Sequence, residues 1–269
     1  MQTSFGSCLK KRAIPLTIVC INDLKIMIEK VTDAIVLKAK DFKDNDKIVY
    51  LFSPSEGKIS AVLKGVKKAA AKLKFAGEPF CFAEFTLVQR GEMATVTNCA
   101  EIESFYEIRQ DIESFYCGYA VLEIVSNFIE ENQPNAQLFV ETVKTLKQLA
   151  ERQTDPKTVL IKFALKTFEN FGQKPCFDRC AECGSKVEGN VYFDFSAGGV
   201  LCGNCRTDYA APIDESVRKV LCNIDSLSDE RLSTYKCGDI LLKKTLAFLE
   251  DVFKQNFQKI NSIKQILQF

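Results

Sequence analysis

The sequence has no histidine and no tryptophan among its 269 residues. The absence of histidine excludes Ser-His-Asp and Cys-His nucleophile pairs, HExxH zinc proteases and the His-Cys-Cys site of nucleobase deaminases. A metal site in this chain must therefore use cysteine or carboxylate ligands. Without tryptophan, any stacking on nucleic-acid bases would depend on Phe, Tyr or Arg.

The chain also lacks a strong net charge and a long apolar run. Its 36 Lys and Arg residues against 35 Asp and Glu leave a formal charge of +1, so a role with nucleic acid or a membrane must come from local clustering. No segment reaches 18 consecutive apolar residues, and we expect a soluble protein. With 46% apolar residues, the chain can bury a real core in one or two domains.

The first 26 residues weakly resemble a signal peptide. Three basic residues precede an apolar stretch, Ala13–Ile21, but Pro15 interrupts it and no small-residue cleavage pattern follows. Met27 opens the first well-patterned segment. We therefore interpret residues 1–26 as a disordered extension, or as sequence upstream of the true start.

Residues 31–103 have the composition of strands. Val, Ile, Phe and Thr are frequent in five short segments separated by polar or Gly-containing turns. Five strands in so short a stretch, without long intervening helices, favour a small closed barrel or a sandwich, with a loop or short helix over residues 64–79. The predicted strands are Ala34–Lys40, Lys47–Phe52, Lys58–Leu63, Phe80–Gln89 and Ala94–Ile102.

From residue 111 onward the apolar period changes from 2 to 3.6, which predicts amphipathic helices. Thr154-Asp155-Pro156 is a typical helix start and Gly172 a typical residue just past a helix end. We attribute the apolar stripes to core packing. The predicted helices are Ile112–Glu131, Gln137–Arg152, Lys157–Asn170, Asp214–Ile224 and Leu241–Phe257.

The twelve cysteines fall into two groups. Four form the pairs Cys180-x2-Cys183 and Cys202-x2-Cys205, separated by 18 residues, which matches the zinc pattern C-x2-C-x15–20-C-x2-C. The rest are scattered, mostly in apolar runs, and we expect buried free thiols in a reducing compartment. These eight are Cys8, Cys20, Cys81, Cys99, Cys117, Cys176, Cys222 and Cys237.

The two CxxC turns can place four sulfurs around one Zn²⁺ at about 2.3 Å. Because four thiolate ligands leave no open coordination position, the site would be structural. Gly184 and Gly203 flank the turns, and Val191–Phe195 can form a strand that turns back through Gly198-Gly199. A rubredoxin-like iron site and paired redox motifs are the alternatives, although one CxxC is the usual redox unit. Cys176 lies nearby, and we expect it to pack rather than to serve as a substitute ligand.

Residues 64–74 hold the densest charge cluster, with no acid before Glu78. A solvated helix face usually mixes both signs, whereas a run of one sign suits a phosphate backbone. The five lysines are Lys64, Lys67, Lys68, Lys72 and Lys74. Lys58 and Arg90, at neighbouring turns, could extend the patch. Phe75 and Phe80 could stack on bases, although core packing is the more common role of Phe.

Taken in order, these parts resemble the RecO family of bacterial recombination mediators. The similarity is carried by AIVLKAKDFKDNDKIVYLFSPSEGKISAVLKGVKK (34–68), FAEFTLVQRG (82–91) and CAECG…GGVLCGNC (180–205), and it runs from about residue 31 to the end. The resemblance implies an α+β protein whose five-stranded barrel is an OB-fold. The implied parts are an OB-fold DNA-binding domain over 27–108, a helical domain over 109–175 and 209–269, and a four-cysteine zinc-binding insertion over 176–208.

The resemblance also implies a non-enzymatic protein of the bacterial cytoplasm, associated with the nucleoid. It would bind single- and double-stranded DNA, anneal complementary strands and act with RecR to help load RecA onto DNA coated with single-strand-binding protein. The acidic tail of that binding protein would be a further partner, whose groove we do not assign to residues; no membrane partner is implied. A zinc-stabilised adaptor without direct DNA binding and a CxxC thiol-disulfide oxidoreductase are the rival functions.

Two features depart from the family pattern. The 26-residue leader has no counterpart in it. The loop that is often rich in Arg in relatives is rich in Lys here, and Lys binds phosphate as a point charge without the fork of Arg. We therefore expect weaker geometric selectivity and a similar salt dependence.

Overall fold

The computed structural model describes residues 17–19, 27–90 and 93–269. Most of residues 1–26, together with Gly91 and Glu92, therefore lie outside the described residues, as do the side chains of Met27 and Arg90. The interpretation of residues 1–26 as an extension stays a prediction. Within that segment only strand β1 (Thr17–Val19) is described, and it pairs antiparallel with residues 27–29.

The N-terminal part is a five-stranded sheet that closes on itself. Strand β2 pairs with β3 on one side and with β5 on the other, and the parallel β4–β6 pair joins the two halves. Each of the five strands therefore has two neighbours, as in a barrel. The strands are β2 (Met27–Phe42), β3 (Asp46–Ser53), β4 (Gly57–Leu63), β5 (Phe82–Arg90) and β6 (Met93–Glu103), with a short 3-10 helix at Phe75–Gly77.

The barrel interior is filled by apolar side chains from alternate strand positions. Val49 and Leu51 of β3, Leu63 of β4 and Phe85 of β5 are all buried. Burying each of these side chains contributes roughly 2 kcal/mol. The five predicted strands are thus present, and β2 begins seven residues before its predicted start because its first half pairs with β5.

The C-terminal part is helical. Asp111, Asn135, Asp155 and Asp214 each accept a backbone N–H at the start of one of the helices, which explains where four of them begin. The last helix was not predicted, since six residues are too few to show a period. The helices are α1 (Ile112–Phe128), α2 (Ala136–Glu151), α3 (Pro156–Asn170), α4 (Glu215–Ser226), α5 (Asp239–Asn256) and α6 (Asn261–Ile266).

Three short strands between α3 and α4 form a separate small sheet. They are β7 (Tyr192–Asp194), β8 (Gly199–Leu201) and β9 (Ala211–Pro212), with β7 in the middle. The β7–β8 hairpin is the one predicted from the turn at Gly198-Gly199. In the described part of the chain, no helix is long and apolar enough to cross a membrane.

The barrel packs on α1 and α2 through aromatic side chains. Phe52 and Phe82 lie 5.4 and 5.7 Å from the ring of Phe139, measured between ring centroids. Gly57 adopts a φ of +70°, and a Cβ there would lie 2.1 Å from the carbonyl oxygen of Gln133. The loop after α1 therefore contacts the barrel so closely at position 57 that only glycine fits there.

Candidate nucleic-acid surface and metal centre

The loop that follows β4 is held against the turn between β2 and β3. The backbone N–H of Gly65 donates to Asp46 Oδ1 at 2.8 Å, and the N–H of Lys67 donates to the carbonyl of Asn45 at 3.0 Å. The side chain of Val66 is buried in the barrel core. These contacts fix the start of the loop at one end of the barrel, so its side chains project from a defined place.

All five loop lysines are exposed. Lys67 forms an ion pair with Asp41, with 2.9 Å between Nζ and Oδ2, and this hydrogen bond lowers the pKa of the Asp41 carboxyl. For the other four, no carboxylate of the described residues lies within 4.0 Å of the ammonium group. Four uncompensated positive charges therefore share one short loop. They belong to Lys64, Lys68, Lys72 and Lys74.

The remaining residues predicted for this surface are placed differently. Lys58 lies six residues from Lys64 along β4, about 20 Å away in an extended strand. Its ammonium donates to the carbonyl of Ser126 near the end of α1 at 3.0 Å, and burial lowers its pKa. Phe80 is buried against Tyr119, so it is unavailable for stacking. Phe75 is half-buried against the barrel core, and the side chain of Arg90 lies outside the described residues.

Three residues that no sequence motif marks share the outer face of the barrel, namely Lys38, Lys40 and Tyr50. The available signal was the alternation Lys38-x-Lys40 in β2. It was ambiguous, because a β-bulge between Val36 and Lys38 changes which residues face outward.

The second site is the four-cysteine cluster. The sulfurs of Cys180, Cys183, Cys202 and Cys205 all lie within 4.8 Å of one another, and those of Cys183 and Cys202 are 3.9 Å apart. Four sulfurs at about 2.3 Å from one tetrahedral metal ion would be separated by about 3.8 Å. The structure thus brings the four predicted ligands together at a spacing that fits one ion.

The local electrostatics favour the thiolate at two of the four cysteines and disfavour it at a third. Burial by itself would raise the pKa of the Cys180 thiol, but backbone N–H groups, among them that of Cys202 at 3.4 Å, lower it to about 6. The hydrogen bond with Ser185 lowers the pKa of Cys183. Contact with the neighbouring sulfurs of Cys183 and Cys202 raises the pKa of Cys205 to about 12. Four ionised sulfurs so close together repel one another, and a bound cation removes that conflict.

The backbone around the first pair is built as a tight turn. The N–H of Gly184 donates to the carbonyl of Cys180 at 2.8 Å, and Gly184 has a φ of +70°. Gly203, which was expected to play the same part in the second pair, has no positive φ. Cys176 lies outside the four-sulfur cluster, with its thiol donating to Asp178 Oδ1 at 3.1 Å.

The scattered cysteines are less uniformly buried than predicted. Cys81, Cys99 and Cys117 are buried, whereas Cys222 and Cys237 are partly exposed, as is Cys176. Sequence alone overestimates their burial because Cys176 and Cys237 lie in segments between helices, where an apolar neighbourhood in the sequence does not ensure burial. Cys8 and Cys20 lie outside the described residues.

The four-cysteine cluster is joined to the helical part through a shared core. The rings of Phe177 and Phe193 stack at 5.8 Å, and Phe193 meets Phe248 of α5 edge-on at 4.9 Å. Arg218 of α4 pairs with Glu215 and donates to the carbonyl of Phe177 at 2.8 Å. The conformation of the cysteine-containing turns is therefore coupled to the packing of α4 and α5.

The closed sheet and the helical part that carries the four-cysteine cluster each match a family model of a recombination protein. Residues 27–105 match the model described as Recombination protein O N terminal, and residues 109–264 match Recombination protein O C terminal. Together these matches span most of the chain, which belongs to the RecO family of DNA repair proteins.

Individual relatives agree with this assignment. The DNA repair protein RecO of Acetivibrio thermocellus is 30% identical over 241 residues, which cover 87% of this chain and 96% of that protein. The DNA repair protein RecO of Pelotomaculum thermopropionicum is 35% identical over 184 residues, covering 68% and 70%. That of Clostridium novyi is 26% identical over 228 residues, covering 85% and 89%.

Proposed function

We propose that this chain is a recombination mediator that binds single- and double-stranded DNA and anneals complementary strands. With RecR, and through the tail of single-strand-binding protein, it would help RecA replace that protein on DNA. It would act in the cytoplasm, at the nucleoid. The observation that carries the proposal is the loop over residues 64–74, whose lysines are all exposed while only Lys67 has an acidic partner among the described residues.

The physical basis is charge neutralisation. Each lysine that approaches a phosphate releases condensed counterions, which favours binding without regard to sequence. Two strands that are partly neutralised on one surface repel each other less, so pairing becomes limited by base matching. None of these steps requires a proton transfer or a covalent bond, which suits a chain without histidine.

The four-cysteine centre would support this activity from a distance. We propose that Cys180, Cys183, Cys202 and Cys205 hold one structural Zn²⁺. When bound, the ion cross-links two turns that are too short to fold alone, and its four protein ligands leave no position for a substrate. The centre would thus keep α4 and α5 in place, without taking part in strand annealing.

The test is annealing of complementary oligonucleotides coated with single-strand-binding protein. The native chain should accelerate annealing, and a variant with all five loop lysines changed to alanine should lose most of that acceleration. A matched control changes five exposed lysines of the C-terminal part to alanine, and it shifts the net charge equally, from +1 to −4. Its positions are Lys144, Lys147, Lys186, Lys219 and Lys236.

The control should anneal strands at nearly the native rate. If the loop variant anneals as well as the native chain, the loop has no part in the activity. If the isolated native chain neither shifts an oligonucleotide in a gel nor anneals strands, the chain acts as a protein adaptor without direct DNA contact, and the proposal fails.

A further inference from the structure

The outer face of the barrel carries an aromatic ring flanked by two lysines. The ammonium groups of Lys38 and Lys40 lie 5.2 and 5.9 Å from the ring centroid of Tyr50. Both lysines are exposed, and Tyr50 is half-buried. A base that stacks on this ring would bring its phosphates within reach of both lysines, since their side chains are long and flexible.

A β-bulge places these side chains together. Val36 pairs with Leu51 and Lys38 pairs with Tyr50, so Leu37 is an extra residue in β2. Before the bulge Val36 faces the barrel core, and after it Lys38 and Lys40 face outward beside Tyr50. If Leu37 were instead paired in a regular strand, alternation from the inward-facing Val36 would turn Lys38 toward the interior.

This face is continuous with the lysine loop. Tyr50 pairs with Ser60 of β4, and alternation along β4 puts Val62 and then Lys64 on the same side, since Leu63 is buried in the core. At the far end of β2, the ammonium of Lys43 lies 5.2 Å from the ring centroid of Phe42. Phe42 follows Lys38 by four residues, or about 13 Å along the strand.

Acidic side chains around this face offset part of its charge, since a backbone N–H does not neutralise a carboxylate and Glu131 accepts the hydroxyl of Ser60, the β4 partner of Tyr50, at 3.1 Å. Asp41 is engaged by Lys67, and Asp46 accepts the N–H of Gly65. Asp44 remains exposed at the tip of the turn. The surface nevertheless presents the ammonium groups of Lys38 and Lys40 beside one aromatic ring, which suits a polyanion that carries flat bases.

We propose that Tyr50 is a base-stacking residue for single-stranded DNA, with Lys38 and Lys40 holding the flanking phosphates. This inference rests on the proposed function and adds the strand preference that the loop lysines alone do not provide. The faces of bases are covered in a duplex, so only single strands can use the ring, whereas both forms can use the lysines.

The sharpest test uses the absence of tryptophan in the chain. Changing Tyr50→Trp introduces a single tryptophan, whose fluorescence reports directly on stacking at this position. Single-stranded oligothymidylate should quench its emission, and a blunt hairpin duplex at a saturating concentration should quench it much less. Equal quenching by the two DNA forms, or none by either while both are bound, would overturn the assignment.

Affinity measurements give a second test with a matched control. Tyr50→Leu keeps an apolar side chain on the strand but removes the ring, and it should weaken single-strand binding about tenfold. Duplex affinity should change less than about twofold, since the ring has no base to stack on there. Tyr50→Phe keeps the ring and should bind like the native chain.

The outcomes separate this inference from the proposed function. Native single-strand affinity in Tyr50→Leu, or equal loss on single strands and duplex, would refute the stacking role while leaving DNA binding intact. If the native chain binds neither form of DNA, the proposed function itself fails. Thermal unfolding of each variant, compared with the native chain, shows whether any loss reflects folding.

Discussion

Removing the five loop lysines should change the salt dependence of DNA binding by a predictable amount. For single strands, each neutralised phosphate contributes about −0.7 to the slope of log affinity against log salt. Lys67 is already paired with Asp41, so four ammonium groups are free to neutralise phosphates. The slope of a variant with all five changed to alanine should therefore be shallower by about 2.8.

That difference is large enough to measure without ambiguity. Between about 50 and 200 mM salt, the native chain should lose about fiftyfold more affinity than the variant, because a fourfold change in salt is raised to a power of about 2.8. Filter-binding titrations with oligothymidylate at several salt concentrations would give both slopes. The control with five lysines changed in the C-terminal part should keep the native slope.

The result that would refute the reasoning is equally clear. If the loop variant and the native chain share one slope, the loop lysines do not contact phosphates, whatever the change in absolute affinity. If the control variant loses as much slope as the loop variant, binding responds to net charge and not to the position of the lysines.

Three further results are expected for stability and metal content. Cys183→Ser should lose the bound metal and lower the melting temperature, while Cys176→Ser should keep one metal per chain; metal analysis of both is the measurement. Gly199→Ala should cost at least about 2 kcal/mol in urea unfolding, because φ is +144° and a Cβ would lie 2.2 Å from the Cys176 carbonyl. Lys157→Met should cost about 1–2 kcal/mol, since it removes a buried ammonium 2.7 Å from Glu113 Oε2 whose carboxylate partners still reach solvent.

Contrary results would be informative for each of the three. Native metal content in Cys183→Ser would mean that the ion, if any, is held elsewhere. An unchanged urea midpoint in Gly199→Ala would show that the β7–β8 turn adapts to a side chain. A loss above about 4 kcal/mol in Lys157→Met would mean that the remaining carboxylates cannot be solvated.

The features that sequence predicted well are those encoded locally. The helix over Pro156–Asn170 was predicted to within one residue, because Asp155 caps it and Gly172 follows its end in a left-handed conformation. The four ligand cysteines were found because their spacing is fixed by the geometry of one ion. The family likewise followed from contiguous motifs, and its two models confirm it.

The features that sequence missed depend on pairing between distant segments. The bulge at Leu37 is defined by its register against β3, so strand alternation alone could not show that Lys38 faces outward beside Tyr50. The burial of Phe80 depends on α1, which follows much later along the chain. Lys58 was grouped with the loop lysines from its place in a turn, whereas its ammonium contacts the end of α1.

The most direct test of the central claim is chemical footprinting of lysines in the presence of DNA. Acetylation of the native chain with and without a single-stranded oligonucleotide, followed by mass spectrometry, measures the reactivity of each lysine. Bound DNA should protect Lys64, Lys68, Lys72 and Lys74, while exposed lysines of the helical part, such as Lys144 and Lys219, should react as before. Equal modification of the loop with and without bound DNA would contradict the account.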